Sequence, residues 1–252
     1  MKEAAARERL IIALDMGEEE SVRQVTTALG HTIQWVKVGM ELYYSVGKPV
    51  VQTLLDKKYQ VFLDLKFHDI PNTVAGASRA ATRMGVGMFN VHAAGGSLMM
   101  RSAKEASLQE AQKLGLKPPV VLGVTVLTSM DLQTFQREMG FSRSIREQVI
   151  RWALMAREAG LDGVVASAQE AAAIREHCGP DFLIVTPGIR PAGSAPDDQS
   201  RIMTPDTALK AGADYLVVGR PVTRAANPAG AVREMLEEMA SSLAGGAARY
   251  SS

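Results

Sequence analysis

Short runs of β-branched and other apolar residues alternate with longer stretches of helical periodicity along the whole chain. The apolar runs are RLIIALD (9–15), WVKVG (35–39), QVFLDLK (60–66), MFNVHA (88–93), VVLGVTVL (120–127), DGVVAS (162–167), FLIVTPG (182–188) and DYLVVGR (214–220). Helical spacing fills the intervals, with EEESVRQVTTAL (18–29), PVVQTLLDKK (49–58), NTVAGASRAATRM (72–84) and SLMMRSAKEASLQEAQKL (97–114) in the first half. SIREQVIRWALMAREAG (144–160), AQEAAAIREH (168–177), TPDTALKAG (204–212) and PAGAVREMLEEMASSL (228–243) follow. Strands apolar on both faces and alternating with helices predict a parallel sheet covered by helices. Eight of each predict a closed (β/α)8 TIM barrel of the α/β class. An open doubly wound sheet would carry a glycine fingerprint after its first strand, and ALDMGEEE (13–20) has none.

No Pro- or Ser-rich linker or compositional shift divides the 252 residues, so a single barrel domain is expected over 1–252. Its ends, 1–8 and 245–252, are expected to fray, since neither carries a pattern suited to burial. The 46% apolar content supplies a sizeable core, and a net charge of +1 leaves no basic excess for a polyanion. The single cysteine, Cys178, excludes a disulfide framework and fits a reducing compartment. The opening MKEAAARERL is charged where a signal peptide is apolar, and no run reaches the ~18 apolar residues of a membrane span. A cytoplasmic location is expected.

Polar residues gather where these strands end. Asp15 ends the first and Lys37 lies in the second; Asp64 and Lys66 lie in the third, and His92 closes the fourth. Thr128 and Ser129 follow the fifth, Ser167 closes the sixth, Arg190 follows the seventh, and Gly219 and Arg220 follow the eighth. Barrel active sites are built at these C-terminal strand ends. The densest stretch is DLKFHD (64–69), in which strand alternation points Asp64 and Lys66 the same way and Leu65 the other. With Leu65 under the helices, the charged pair faces the barrel axis, and Asp69 lies on the following turn. An inward ion pair that only closes the core is the bland alternative, but Asp15 and Lys37 at neighbouring strand ends make a charge array the stronger reading. Carboxylates around a lysine favour its protonated form. That disfavours a Schiff-base nucleophile and suits a proton donor to carbon that has become negative.

Loops after the last two strands form the recurrent phosphate site of such barrels. Here they are TPGIRPAGSAPDDQSRI (186–202), long enough for a lid, and VGRPV (218–222). Gly219 lets backbone approach an anion, and Arg190 and Arg220 supply cationic forks. The four histidines show no metal-ligand spacing, His68 reads as a brace for its neighbours, and Cys178 reads as a buried thiol.

The stretch DLKFHDIPNT (64–73) resembles the signature of the orotidine 5′-monophosphate decarboxylase family. The resemblance extends from ALD (13–15) through LTS (127–129), TPGIRP (186–191) and DDQSRI (197–202) to GRP (219–221). It implies decarboxylation of orotidine 5′-phosphate to UMP in pyrimidine biosynthesis, with no metal or organic cofactor, in a homodimer. By position, Lys66 would protonate C6 of the pyrimidine and Asp64 would lie beside the substrate carboxylate. Asp69 and Thr73 would reach the partner's site, and Asp15 and Lys37 would hold ribose hydroxyls. Thr128 and Ser129 would contact the pyrimidine, with Arg190, Gln199, Gly219 and Arg220 at the ribose and phosphate end.

The D-x-K-x-x-D element is shared with magnesium-dependent sugar-phosphate decarboxylases and aldolases of the same superfamily. That group places a metal-binding glutamate where this chain has Lys37, a cation that repels a metal. A non-catalytic nucleotide sensor is a third possibility, and the presence of Asp64, Lys66 and Asp69 together argues against it.

Overall fold

Strands with two apolar faces have no side to turn to water, and their ladders must close or be covered. The computed structural model describes residues 2–191 and 203–245. Eight strands run in chain order: β1 (Leu10–Ala13), β2 (Trp35–Gly39), β3 (Gln60–Phe67), β4 (Met88–His92), β5 (Val120–Val124), β6 (Gly163–Val165), β7 (Leu183–Thr186) and β8 (Tyr215–Val218). Each pairs in parallel with the next, and β8 returns to β1, so the barrel is closed. The helices are α1 (Lys2–Arg9), α2 (Glu19–Leu29), α3 (Met40–Val46), α4 (Lys48–Asp56), α5 (Pro71–Arg83) and α6 (Gly96–Leu114). They continue with α7 (Ile145–Glu158), α8 (Ala168–Cys178), α9 (Pro205–Lys210), α10 (Arg220–Thr223) and α11 (Pro228–Gly245). This is the expected (β/α)8 barrel, with three additional α-helices, α1, α3 and α10, among the described residues.

Strand alternation divides the apolar residues into two cores. Ile11, Ala13, Phe62, Met88, Leu122, Val185 and Val217 fill the barrel interior. Leu10, Ile12, Val36, Val38, Val61 and Leu63 belong to the larger core shared with the helices. The next inward positions of β2, β3 and β4 are taken by Lys37, Asp64 and Asn90, all buried. The interior therefore changes from apolar to polar along these three strands.

Two carboxylates at the other end of the barrel repeat one device. Asp162, just before β6, accepts the Val121 N–H at 2.7 Å and is neutralised by Lys104 of α6. Asp214, just before β8, accepts the Ile184 N–H at 2.8 Å and is neutralised by Arg175 of α8. Each satisfies an amide at the start of a neighbouring strand and ties it to the helical layer.

The fraying expected at residues 1–8 is corrected: Lys2–Arg9 form α1, Ala6 is fully buried, and the helix packs on α11. Alanine-rich sequence favours helix, and one buried methyl with the Arg7 hydrogen bond to the His31 carbonyl anchors it. So few apolar residues leave little signal in a periodicity count. At the other end, α11 extends to Gly245, and 246–252 lie outside the described residues.

Gly163 on β6 leaves no room for a side chain, because a Cβ there would lie 2.2 Å from the Leu183 carbonyl oxygen. That neighbour is backbone and cannot swing aside. Gly163→Ala is expected to lower stability by about 1–3 kcal/mol, read from urea denaturation. An unchanged midpoint would show that the β6–β7 spacing gives way freely.

Candidate active site

β3 departs from a regular ladder where its charged residues begin. Leu63 pairs with Phe89 and Phe67 with Val91, so Asp64, Leu65 and Lys66 span the stretch that Asn90 alone occupies on β4. Lys66 takes φ +52°, a left-handed backbone that costs an ordinary residue about 1–3 kcal/mol. Its N–H donates instead to Asn90 Oδ1 at 2.8 Å. Leu65 packs against the helix-side core, as expected, but through a bulge and not simple alternation.

The bulge completes a row of alternating charges. Lys37 Nζ lies 2.7 Å from Asp15 Oδ1 and 3.1 Å from Asp64 Oδ2. Lys66 Nζ lies 2.7 Å from Asp64 Oδ1, which also accepts from Asn90 Nδ2 at 2.7 Å. Burial acts to lower the Lys37 pKa, but Asp64 and Asp15 outweigh it and raise the value. Burial likewise acts to raise that of Asp64, and Lys37 and Lys66 reverse the effect and lower it. Both groups are held charged.

Gly39 makes room for the outer pair. A Cβ there would lie 2.6 Å from Asp15 Oδ1 and 2.9 Å from Lys37 Nζ, the space in which the two groups meet.

The array forms one wall of a cavity of about 580 Å³ at the C-terminal ends of the strands. Thr128 and Ser129 line it after β5, and Phe62, Val124 and Val165 form its apolar floor. Arg190, Gly219, Arg220 and Arg224 lie on the β7 and β8 side. Arg190 is buried, and its N–H donates to the Met203 carbonyl at 3.0 Å beside the parallel bridge between Ile189 and Met203. One end of the cavity can hold a charge-separated reacting group and the other an anion.

The profile of the Orotidine 5′-phosphate decarboxylase / HUMPS family matches residues 8–235. The chain belongs to this family. It is 51% identical to the orotidine 5′-phosphate decarboxylase of Moorella thermoacetica over 234 residues, 93% of each chain. It is 50% identical to that of Syntrophomonas wolfei over 93% of this chain and 98% of the relative. A crystal structure of the Lactobacillus acidophilus orotidine 5′-phosphate decarboxylase superimposes with a TM-score of 0.82 at 39% identity, covering 92% of this chain and 99% of that one.

Of the positions singled out from the decarboxylase signature, Asp15, Lys37, Asp64, Lys66, Thr128, Ser129, Arg190, Gly219 and Arg220 line the one cavity. Asp69 and Thr73 do not: both are exposed, and the Asp69 carboxylate accepts the Ile70 N–H at 2.6 Å. Gln199 and the rest of 192–202 lie outside the described residues. His68 and His92 stand with ring centroids 5.4 Å apart and are not among the cavity's lining residues. Burial, then His68 and Lys66, lowers the His92 pKa. Burial raises that of the Cys178 thiol, in keeping with an inert group. Among the described residues, no three His, Cys, Asp or Glu side chains cluster as metal ligands.

Sequence reasoning missed Asn90, Gly39 and Arg224. Asn90 had a signal, a polar residue two positions after Met88 on the inward face of an apolar strand. Gly39 and Arg224 had none, since their roles depend on neighbours remote in sequence.

Gly39→Ala is expected to separate Asp15 from Lys37 while leaving Lys37 on Asp64. Asp15 is 49% exposed and free to swing outward, so stability should change by no more than about 1 kcal/mol. A crystal structure with a urea titration checks this. An Asp15 carboxylate still seated on Lys37 would show that the missing Cβ is not what admits the pair.

Proposed function

We propose that the chain decarboxylates orotidine 5′-phosphate to UMP and carbon dioxide, a step of pyrimidine biosynthesis. The observation that carries this reading is the row Asp15, Lys37, Asp64, Lys66 on one side of a cavity whose far side presents Arg190 and Arg220. Family membership and the names of the relatives support it.

The chemistry follows from where charge must go. The bond from C6 to the carboxylate breaks, carbon dioxide leaves, and the electron pair remains on a ring carbon that no adjacent carbonyl delocalises. The Lys66 ammonium stabilises that pair and transfers a proton to it, and the resulting amine regains its proton from water. Asp64 keeps the ammonium in place beforehand, so little reorganisation accompanies the step. Asp15 and Lys37 hold the ribose hydroxyls, and Thr128 and Ser129 contact the pyrimidine. Arg190, Arg220, Gly219 and Gln199 take the ribose and phosphate end. Phosphate binding, remote from the bond that breaks, supplies energy that fixes the reactive geometry.

The enzyme acts as a homodimer, with Asp69 and Thr73 serving the partner's cavity. Their exposure beside their own cavity supports this, as do Ile70, 67% exposed, on the connection from β3 to α5, and Leu98, 66% exposed, in the first turn of α6. No metal or organic cofactor takes part. A cytoplasmic location suits the single buried cysteine, and no helix among the described residues is long and apolar enough to cross a membrane.

Absorbance change on adding orotidine 5′-phosphate, with a chelator present, tests the reaction. Activity is expected to survive exhaustive chelation, and loss restored by magnesium would favour the sugar-phosphate relatives instead. Lys66→Ala is expected to lose nearly all turnover and still bind UMP, because the carbanion it protonates exists only along the reaction and not in bound UMP. Substantial residual turnover would remove Lys66 as proton donor.

Subunit mixing tests the shared site. Lys66→Ala and Asp69→Ala chains, each nearly inactive, are expected to recover about one quarter of wild-type activity after refolding together in equal amounts. Half of the dimers are then mixed, and each of these has one site with both lesions and one with neither. No recovery despite demonstrated exchange would place Asp69 in its own chain's site.

A further inference from the structure

Asn90 spans a backbone group and a charge at the same place. Its Oδ1 accepts the Lys66 backbone N–H at 2.8 Å, and its Nδ2 donates to Asp64 Oδ1 at 2.7 Å. The residue is 1% exposed and is not among those lining the cavity, so any effect on substrate passes through its neighbours. The bulge takes the Lys66 N–H out of the strand ladder, and the amide oxygen supplies the acceptor that a part-buried donor needs. Asp64 Oδ1 in turn receives both the Lys66 ammonium and the Asn90 amide. A neutral group with an acceptor on one arm and a donor on the other meets both demands, whereas a hydrocarbon meets neither and a carboxylate only the first.

We propose that Asn90 is a positioning residue for the decarboxylation. By clamping the left-handed Lys66 backbone to the Asp64 carboxylate, it aims the Lys66 ammonium at the carbon that loses carbon dioxide. The proposal rests on the assignment of Lys66 as proton donor made above, and it adds a residue that touches neither substrate nor solvent.

Asn90→Ala is expected to lower kcat by about 10²-fold, the scale of a 1 Å misplacement, with KM changed less than about threefold. Asn90→Asp supplies a readout that loss of packing would not move. Its ionised carboxylate opposes Asp64 with like charge, while its protonated form donates to Asp64 and accepts the Lys66 N–H as the amide does. The ratio of its kcat to that of the wild type is therefore expected to rise as pH falls from about 8 to about 5. A flat ratio overturns the proposal, as does an Asn90→Ala kcat within twofold of wild type. If Asn90→Ala does not fold, the Asn90→Asp ratio decides alone. A crystal structure of Asn90→Ala reads the backbone independently of activity. Lys66 relaxed to negative φ supports the clamp, and Lys66 unmoved on Asp64 refutes it. Should the wild type release no carbon dioxide from orotidine 5′-phosphate, the assigned reaction fails, and that crystal structure still decides the clamp.

Discussion

Asp64 is a carboxylate almost withdrawn from water, and two ammonium groups keep it ionised. Burial alone would raise its pKa; Lys37 at 3.1 Å and Lys66 at 2.7 Å reverse that effect and lower it. Each lysine then imposes a condition of its own. Lys37 is itself buried and takes Asp15 as a second partner, which requires residue 39 to lack a side chain. Lys66 reaches Asp64 from two residues along the same strand, which goes with a bulge, a left-handed backbone and an amide from β4. Deviations on three strands thus trace to one buried negative charge.

The cavity keeps its two charged groups apart. The row of alternating charges comes from the ends of β1 to β3, and the arginines come from the connections after β7 and β8. Between them the floor is apolar, formed by Phe62, Val124 and Val165. A closed barrel brings the two groups within one cavity, because β8 pairs with β1.

Much of this was legible in the residues. Eight apolar runs separated by helical periodicity led to the barrel, and the polar residues at their ends led to the cavity wall. Alternation correctly put Leu65 toward the helices, but it could not disclose that Lys66 gets its direction from a bulge, since a register shift depends on what β4 offers opposite. Asn90 was readable by parity and was obscured by its apolar setting. The α1 helix escaped because a single buried alanine leaves no periodic signature. Asp69 and Thr73 lie outside the cavity of their own chain, which strand-end position alone did not disclose, because both follow β3 on the turn and first helical residues.

The parallel bridge between Ile189 and Met203, with the Arg190 N–H bonded to the Met203 carbonyl, has a consequence for how this wall can change over evolutionary time. It pins both ends of the intervening stretch to one point on the rim. Any stretch that starts and finishes there closes the same gap, and lengthening it twofold adds only about 0.6 kcal/mol of closure entropy. The barrel is insulated from insertions and deletions at that place, and Arg190 keeps its station beside the bridge whatever length of chain follows. Selection can therefore change the length of that stretch without renegotiating the scaffold that holds Asp15, Lys37, Asp64 and Lys66.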